Sequence, residues 1–454
     1  MSENRSPFFI LVFIGLSQFS SALMHSITGV TLPVLGREFN SSAVQLGLVE
    51  SIYLGITAGL LIPIGRYADL TDKNTLFKAG LLILSVFTFV IGLQASIEGV
   101  IFFRFCQGVG AALLTAIGMA IVADIAPKNK LGQMLGLAIA STYIGLSSGP
   151  FFSGIITTHL GWRWVYYLAA TPPLFAFFIS LFGLKSKWKK PADKINLINS
   201  FILLVGIGLI ITGAVMLKRG FIGVSVSGFG VFLIIIFVGF ERRSTKPLIK
   251  IDEVIRNQTL SRALVTQFLI YCGTIGTTFL LSLYLQIIRG GTPAMAGHVL
   301  VVGPAVMAIF APLAGRLCDK FSPRRISAVG GTLVVCSVAL PACLSTTTGI
   351  ELIVVALVFQ GLGFAFFSAP NIALIMNSIG TSERGLASAL SGLMRSFGMV
   401  ISMFVVTAFL SMNVGDNTIE DKPQDFLFAL RFSFVIFTLL GVVGVFQAIR
   451  VKKF

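Results

Sequence analysis

Apolar residues run in long segments along the chain, separated by short polar stretches that carry most of the charges. The segments are about 20 residues long, which is the length that a helix needs to cross the hydrocarbon of a bilayer. They lack the alternation of polar and apolar positions that strands of a membrane barrel show. The pattern therefore predicts fourteen membrane-spanning helices, of which the sixth covers 164–184 and the eighth 222–240.

Composition and charge agree with a membrane protein. Of 454 residues, 55% are hydrophobic and 11% are charged, which is far from the composition of soluble globular proteins. The net charge is +16, but Lys and Arg concentrate in every second loop, and such loops face the cytoplasm. We therefore expect a multi-pass protein of the cytoplasmic (inner) membrane with both termini in the cytoplasm. Topology explains the charge, so no nucleic-acid partner is expected.

A short polar loop occurs twice, at 65–73 and at 315–325. Each copy begins with Gly, has an Asp four residues later and ends in basic residues, which implies a duplicated unit. We predict an all-α fold of two pseudo-symmetric six-helix bundles, 1–190 and 246–454, with an inserted transmembrane hairpin and its linkers at 191–245. The residues that we single out in these two loops, with one acid near the end of span 4, are Gly65, Asp69, Lys73, Asp124, Gly315, Asp319, Arg324 and Arg325.

Three polar residues lie at one depth inside the first bundle. His25, Glu50 and Arg104 each stand about six or seven residues from the outer ends of spans 1, 2 and 4, or roughly 10 Å. Charges within hydrocarbon are costly and mark functional sites. We hypothesise that the three line a cavity and that Glu50, alone or coupled to His25, carries a proton. A static Glu50–Arg104 ion pair with His25 hydrogen-bonded nearby is an equally open interpretation.

A substrate cavity is predicted between the bundles. Polar and aromatic positions recur at helical spacing along spans 9 and 12, and an arginine lies within span 13. Aromatic walls with a few polar groups suit a bulky amphipathic or cationic ligand. Because span 13 carries an arginine, an anionic or zwitterionic ligand is an alternative. The predicted residues are Met24, Gln107, Gln267, Tyr271, Phe364, Asn371 and Arg395.

Span 5 combines small residues with a proline. Pro150 removes a backbone donor and bends the helix, while Gly145, Gly149 and Gly154 thin one face so that another helix can pack closely. On these residues alone, span 5 is a bent and closely packed helix.

Other classes of protein find little support. Five scattered cysteines show no ligand spacing, so we expect no disulfide, metal or other cofactor. No enzyme motif occurs, and no loop is long enough for the output domain of a membrane sensor, which is the alternative from another class. The expected partners are the lipid bilayer, a small-molecule substrate and protons, and we expect a monomer.

Several stretches together resemble the major facilitator superfamily. The two loops resemble its signature loop, Arg104-x-x-Gln107-Gly108 its span-4 motif, and the glycines around Pro150 the span-5 motif of its antiporters. Gly161-Trp162-Arg163-Trp164 and the stretch after span 8 are similar to its fourteen-span drug:proton antiporter branch. The resemblance implies alternating access, with proton-coupled export of drug-like compounds.

The resemblance also implies roles for individual residues. Asp69 and Asp319 would hold the cytoplasmic gate, Arg104 would take part in proton handling, and Gly149 with Pro150 would shape the interface between bundles. The first loop departs from the family pattern at Leu70 and Asp72, and Met24 stands where that branch usually carries an Asp. Proton coupling must then use another residue. An alternative is that the protein exports, or passively facilitates the diffusion of, an anionic or zwitterionic metabolite or siderophore without such coupling.

Overall fold

A computed structural model of the chain describes residues 7–125, 131–183, 197–244, 251–378, 384–415 and 417–450. Within these ranges the backbone forms helices joined by short turns and contains no strand. The helices are α1 (Pro7–Glu38), α2 (Ala43–Leu70), α3 (Lys73–Ile91), α4 (Ile97–Ile125), α5 (Leu131–His159), α6 (Trp162–Ala169), α7 (Thr171–Gly183), α8 (Leu197–Val215), α9 (Phe221–Arg243), α10 (Ile251–Arg256), α11 (Gln258–Tyr271), α12 (Thr274–Leu283), α13 (Pro293–Leu300), α14 (Val302–Lys320), α15 (Pro323–Ala339), α16 (Ile350–Asn377), α17 (Arg384–Asn413) and α18 (Pro423–Arg450).

The helices are long and apolar enough for a membrane. Twelve candidate spans occur among the described residues, and some of them combine consecutive helices, such as α6 with α7 and α11 with α12. Outside these twelve, α1 and α5 are 32 and 29 residues long. The chain is therefore an all-helical, multi-pass membrane protein, as its apolar segments predict.

The helices pack into two groups joined by a third. We call residues 7–183 the first half and residues 251–450 the second half. In the first half α1 lies along α5, and α2 and α3 pack on α4; in the second half α14 and α15 pack on α16, and α11 and α15 on α18. Between the halves in sequence, α8 and α9 pack on each other, and α8 contacts both α2 and α17. Both predicted bundle boundaries, near 190 and 245, lie outside the described residues.

Pairs of glycines form the same close contact in both halves. A Cβ at Gly110 in α4 would lie 3.0 Å from the carbonyl oxygen of Gly80 in α3. A Cβ at Gly363 in α16 would likewise lie 3.0 Å from the carbonyl oxygen of Gly330 in α15. Because only glycine allows backbones to approach so closely, these two crossings have the same geometry. The repetition supports the duplication that the sequence implies.

The two recurring polar stretches are helical over most of their length, which corrects the expectation of loops. α2 continues to Leu70 and α14 to Lys320, and the chain turns only at residues 71–72 and 321–322. Asp72 caps α3, because its carboxylate accepts hydrogen bonds from the N–H of Asn74 at 3.1 Å and the hydroxyl of Thr75 at 2.6 Å. Polar side chains alone do not end a helix, because a helix can continue beyond the bilayer. The turn instead lies where a capping residue begins the following helix.

The two halves meet at one end of the molecule, which we call the closed end (residues 37–42, 154–163, 284–294, 413–415 and 417–424). Arg37 of α1 donates to Glu420 at 3.2 Å and to the carbonyl oxygen of Gln286 at 3.0 Å. The N–H of Ala294 donates to Thr158 at the end of α5, at 3.0 Å. Slightly deeper, Gly154 of α5 packs directly on the backbone of α13.

The α8–α9 pair buries an acid that the sequence placed in a cytoplasmic linker. α9 extends to Arg243, beyond the predicted end at residue 240, so Glu241 lies within the helix and is 1% exposed. The amide of Asn199 in α8 donates to its carboxylate at 3.0 Å. The predicted end of this helix rested on hydrophobicity alone, and polar residues extend α9 beyond it.

Candidate functional site

A buried ion pair lies at the centre of the first half. Arg104 of α4 is 0% exposed and Glu50 of α2 is 2% exposed. One guanidinium nitrogen of Arg104, Nη2, donates to Oε2 of Glu50 at 2.8 Å, and Nε donates to the carbonyl oxygen of Val49 at 3.1 Å. Removing two charges from water is costly, and only close pairing with further hydrogen bonds offsets the cost. The structure thus brings together two of the residues that the sequence placed at one depth.

A network of neutral groups surrounds the other side of Arg104. Its Nη1 donates to Oε1 of Gln107 at 2.6 Å, and the amide of Gln107 donates to Thr88 of α3 at 2.7 Å and to the sulfur of Met24 at 3.3 Å. Met24 and Gln107 are both 0% exposed. Their side chains therefore connect α1, α3 and α4 inside the first half, which differs from the predicted position on a cavity wall.

Two aromatic side chains extend this cluster towards the second half. The guanidinium carbon of Arg104 lies 4.2 Å from the ring centroid of Tyr53, an arrangement that stabilises the cation. The rings of Tyr53 and His25 meet edge to face with their centroids 4.8 Å apart. His25 of α1, Glu50 and Tyr53 of α2 and Arg104 of α4 thus form one site, which we call the polar cluster.

The polar cluster contains three buried atoms for which no described protein group provides a hydrogen bond. They are Oε1 of Glu50, the hydroxyl of Tyr53 and Nδ1 of His25. Leaving such a group unsatisfied costs about 1–3 kcal/mol. These atoms are available to bind a proton, a water molecule or a polar group of a ligand. A purely structural ion pair would not require them.

Arg395 of α17 brings a second positive charge from the other half. It lies close enough to His25 for their charges to interact, and its side chain is partly buried. Among the described residues it has no hydrogen bond or ion pair. Because a guanidinium within a membrane needs a partner, Arg395 can receive an anionic group.

The other predicted cavity residues of the second half belong largely to its own packing. Asn371 donates to Gln267 at 2.9 Å, and Gln267 donates to the hydroxyl of Ser391 at 2.7 Å. These bonds join α16, α11 and α17, and both amide side chains are at most 2% exposed. The Tyr271 ring lies 5.2 Å from that of Phe364, and both are buried. A direct substrate contact by these residues stays a prediction.

The structure describes the surroundings of only some of the predicted gating residues, which are the residues singled out in the two polar loops. Gly65 lies in α2 with no atom within 4 Å of where a Cβ would be, Lys73 begins α3, and Arg324 donates to the carbonyl oxygen of Ile449. Arg325 is exposed in α15. The remaining four positions are helical, but their surroundings lie outside the described part of the chain: Asp69, Asp124, Gly315 and Asp319.

The glycines of α5 contact two different neighbours. Gly145 and Gly149 face α1, where the hydroxyl of Ser26 donates to the carbonyl oxygen of Gly145 at 3.3 Å. A Cβ at Gly149 would collide with the Ser26 side chain. The implied role of Gly149 at the interface between halves is therefore not what the geometry shows, because this residue packs within the first half.

The contact between the halves lies further along α5. The carbonyl oxygen of Pro150 touches Gly297 of α13, and Gly154 meets the backbone of residues 293–297. Pro150 thus does contact the second half, together with Gly154.

Two residues of the site, Tyr53 and Thr88, were not predicted from the sequence. Tyr53 lies one helical turn from Glu50, and this spacing could have indicated it. Thr88 resembles the many other hydroxyl residues of the spans, so no signal in the sequence distinguishes it.

The fold is that of a helical membrane protein with two similar halves, and its polar cluster is buried inside the first half. Residues 14–244 and 263–452 match the Major Facilitator Superfamily. The chain belongs to this family of transporters.

Individual relatives agree with this family. The Riboflavin transporter RibZ of Clostridioides difficile is 26% identical over 425 residues, covering 91% of this chain and 90% of the relative. Multidrug resistance protein Stp of Mycobacterium tuberculosis and the Tetracenomycin C resistance and export protein of Streptomyces glaucescens are each 24% identical, over 90% of this chain and 76% and 77% of their own lengths. A crystal structure of a variant of the nucleoside transporter NupG superposes with a TM-score of 0.65 at 14% identity, over 98% of this chain and 100% of that chain.

Proposed function

We propose that the protein is a secondary transporter that works by alternating access and exports amphipathic, drug-like organic compounds in exchange for protons. The observation that carries this proposal is the Glu50–Arg104 pair, buried in the first half with one carboxylate oxygen unpartnered. A carboxyl group that is paired in one state can lose its partner when protonated, because a neutral acid no longer offsets the charge of the guanidinium. Proton binding would then release Arg104 and change the packing of α2 against α4.

Relatives support the substrate class. Their names describe transport of riboflavin, multidrug resistance and export of tetracenomycin C. The ring of His25 is only partly buried and offers an edge for a flat aromatic compound. The substrate would lie between this ring and α17 of the second half.

A second candidate is transport of an anionic or zwitterionic compound. The observation in its favour is Arg395, which has no partner among the described residues. Glu50 is already neutralised by Arg104, so the net charge around the polar cluster is positive. An anionic group would fit this charge better than a cation.

The orientation follows from the basic loops. We propose that α1 and α5 also cross the bilayer, giving fourteen spans, with six in each bundle and α8–α9 as an inserted hairpin. The protein would lie in the inner membrane with both termini in the cytoplasm, and the closed end would face the outside. The protein would act as a monomer.

Reconstitution into liposomes with an imposed pH gradient tests these proposals. Ethidium serves as the cationic probe, riboflavin as the neutral probe and carboxyfluorescein as the anionic probe, with internal pH followed by trapped pyranine. We expect ethidium or riboflavin to move against a proton flux and the Glu50→Gln variant to abolish this movement, while probe binding to the purified protein persists. Glu98→Gln, which alters an exposed acid, is the matched control.

Each outcome decides between the candidates. Gradient-driven transport that continues in Glu50→Gln would exclude Glu50 as the proton carrier. Movement of carboxyfluorescein but not ethidium would favour the second candidate. Movement of a probe without any proton flux would exclude coupling.

A further inference from the structure

One face of α1 carries a row of buried polar atoms that lack protein partners. They are Nε2 of Gln18, Oγ of Ser21 and Nδ1 of His25. Gln18 and Ser21 are each 6% exposed. The three residues stand at positions i, i+3 and i+7, so they share one side of the helix and extend about 10 Å along its axis.

The row continues into the polar cluster. The His25 ring contacts the ring of Tyr53, and the Tyr53 hydroxyl and Oε1 of Glu50 are the next two unpartnered atoms. The row and the polar cluster together therefore hold five such atoms. Together they would be strongly destabilising if each remained unsatisfied, since each costs about 1–3 kcal/mol. Buried groups of this kind are usually satisfied by ordered water with about three hydrogen bonds.

Other hydroxyl groups on α1 are satisfied by their own helix. Ser20 donates to the carbonyl oxygen of Leu16 at 2.7 Å, Ser26 to that of Leu23 at 3.1 Å and Thr28 to that of Met24 at 3.3 Å. The row is therefore confined to one face and is not a general property of the helix.

The surroundings of Gln18 place the row inside the first half. Its amide nitrogen lies directly against Gly118 of α4, where any Cβ would collide with it, and Phe77 of α3 borders the same place. A substrate between the halves would not reach a side chain packed on α3 and α4. Small molecules such as water fit this location.

We propose that Gln18, Ser21, His25, Tyr53 and Glu50 hold a chain of ordered water molecules that conducts protons between Glu50 and the end of the first half opposite the closed end. When neutral Glu50 releases its proton, the carboxyl O–H bond breaks and the adjacent water accepts the proton. The excess proton moves along the chain by successive exchange, and the remaining carboxylate pairs with Arg104. The proton traffic rests on the proposed function, whereas the water chain itself does not.

The charged groups around this path limit how it works. Arg104 faces Glu50 from α4, and Arg395 lies near His25 from α17. His25 offers a ring nitrogen without a described partner, which positions water, and Glu50 is the group that exchanges the proton.

Radiolytic hydroxyl-radical footprinting of the full-length protein in nanodiscs tests the water chain. X-ray pulses turn bound water into hydroxyl radicals, which label neighbouring side chains even when these are buried. We expect Tyr53 to be labelled several-fold faster than Tyr284, although both are 0% exposed. Tyr284 is the internal reference, because its hydroxyl donates to the carbonyl oxygen of Ser345 at 2.6 Å.

Matched variants separate the path from general disturbance. Ser21→Val replaces the unpartnered hydroxyl with methyl groups that cannot hold water, and we expect it to reduce Tyr53 labelling several-fold; Gln18→Leu should act similarly. Ser20→Val, next in the chain but already satisfied, should leave the labelling unchanged. An unchanged rate for Tyr284 shows that each variant is folded.

Different results would overturn the water chain and the proposed function. Tyr53 labelling as slow as that of Tyr284 in the wild type, or equal in Ser20→Val and Ser21→Val, would overturn the water chain. Rapid labelling without proton flux during ethidium transport would leave the water in place and exclude its use for coupling. A weaker binding of ethidium by Ser21→Val, with unchanged Tyr53 labelling, would instead assign this face to substrate.

Discussion

The close contact between α5 and α13 makes Gly154→Ala a direct test of what holds the closed end together. The added methyl group would lie 2.7 Å from the carbonyl oxygen of Pro293 and 3.1 Å from the Cα atoms of Ala294 and Gly297. Ordinary contacts between such atoms are about 3.5 Å or longer. All three neighbours are backbone atoms, so no side-chain rotation can relieve the collision.

The expected size of the effect follows from the cost of overpacking. Forcing one methyl group into a filled space costs about 1–3 kcal/mol. If separation of α5 from α13 removes this cost, the ratio of open to closed molecules at this end rises about 5- to 150-fold. The variant should therefore populate a state in which the closed end has opened.

Distances between spin labels measure this change. Cysteines at the exposed positions Leu160 and Gln424, in a background without the native cysteines, report on the two halves at the closed end. Double electron–electron resonance should show a longer-distance population in Gly154→Ala. Gly208→Ala is the control, because no atom lies within 4 Å of a Cβ at that position of α8. Identical distance distributions for the two folded variants would refute the reasoning.

Three further predictions concern single contacts. Arg37→Gln should lower the free energy of unfolding by less than about 1 kcal/mol, because its side chain and that of Glu420 are 50% and 45% exposed, and thermal unfolding at low and high salt measures this. Asn199→Leu should cost about 1.5–3 kcal/mol, because it removes a hydrogen bond to the buried carboxylate of Glu241, and a melting temperature equal to that of the wild type would contradict it. Arg395→Gln should weaken carboxyfluorescein binding about tenfold, which corresponds to roughly 1.4 kcal/mol, and leave ethidium binding unaffected; equal losses for both dyes would argue against an anion site.

The helices and the depth of the polar residues were predictable from the sequence, because hydrocarbon thickness sets both. Residues at equal depth in neighbouring spans can meet, and Glu50 and Arg104 do so at 2.8 Å. The ends of helices were not predictable, since polar residues continue a helix outside the bilayer. Leu70 and Glu241 lie in helices for this reason.

The sequence could not predict which neighbouring helix each face of a helix packs against, and only the structure shows it. Gly149 and Gly154 belong to one motif, yet one packs on α1 and the other on α13, because helix rotation depends on all neighbours at once. The buried amides of Gln267 and Gln107 could equally have lined a cavity, and only their partners distinguish a network from a ligand site. Boundaries between bundles, substrate and coupling remain predictions.

The position of α8 makes the two flanks of the molecule unequal. On one flank, α8 rests against Gly59 of α2 and accepts a hydrogen bond from Ser411 of α17 at the carbonyl oxygen of Val215, at 2.7 Å, so it covers the line where the halves meet. On the other flank, α5 borders α13 and α14 without such a covering pair among the described residues. The seam between the halves is therefore shielded by an additional helix pair on one flank, whereas on the other flank the helices of the halves themselves, α5 against α13 and α14, form the outer layer.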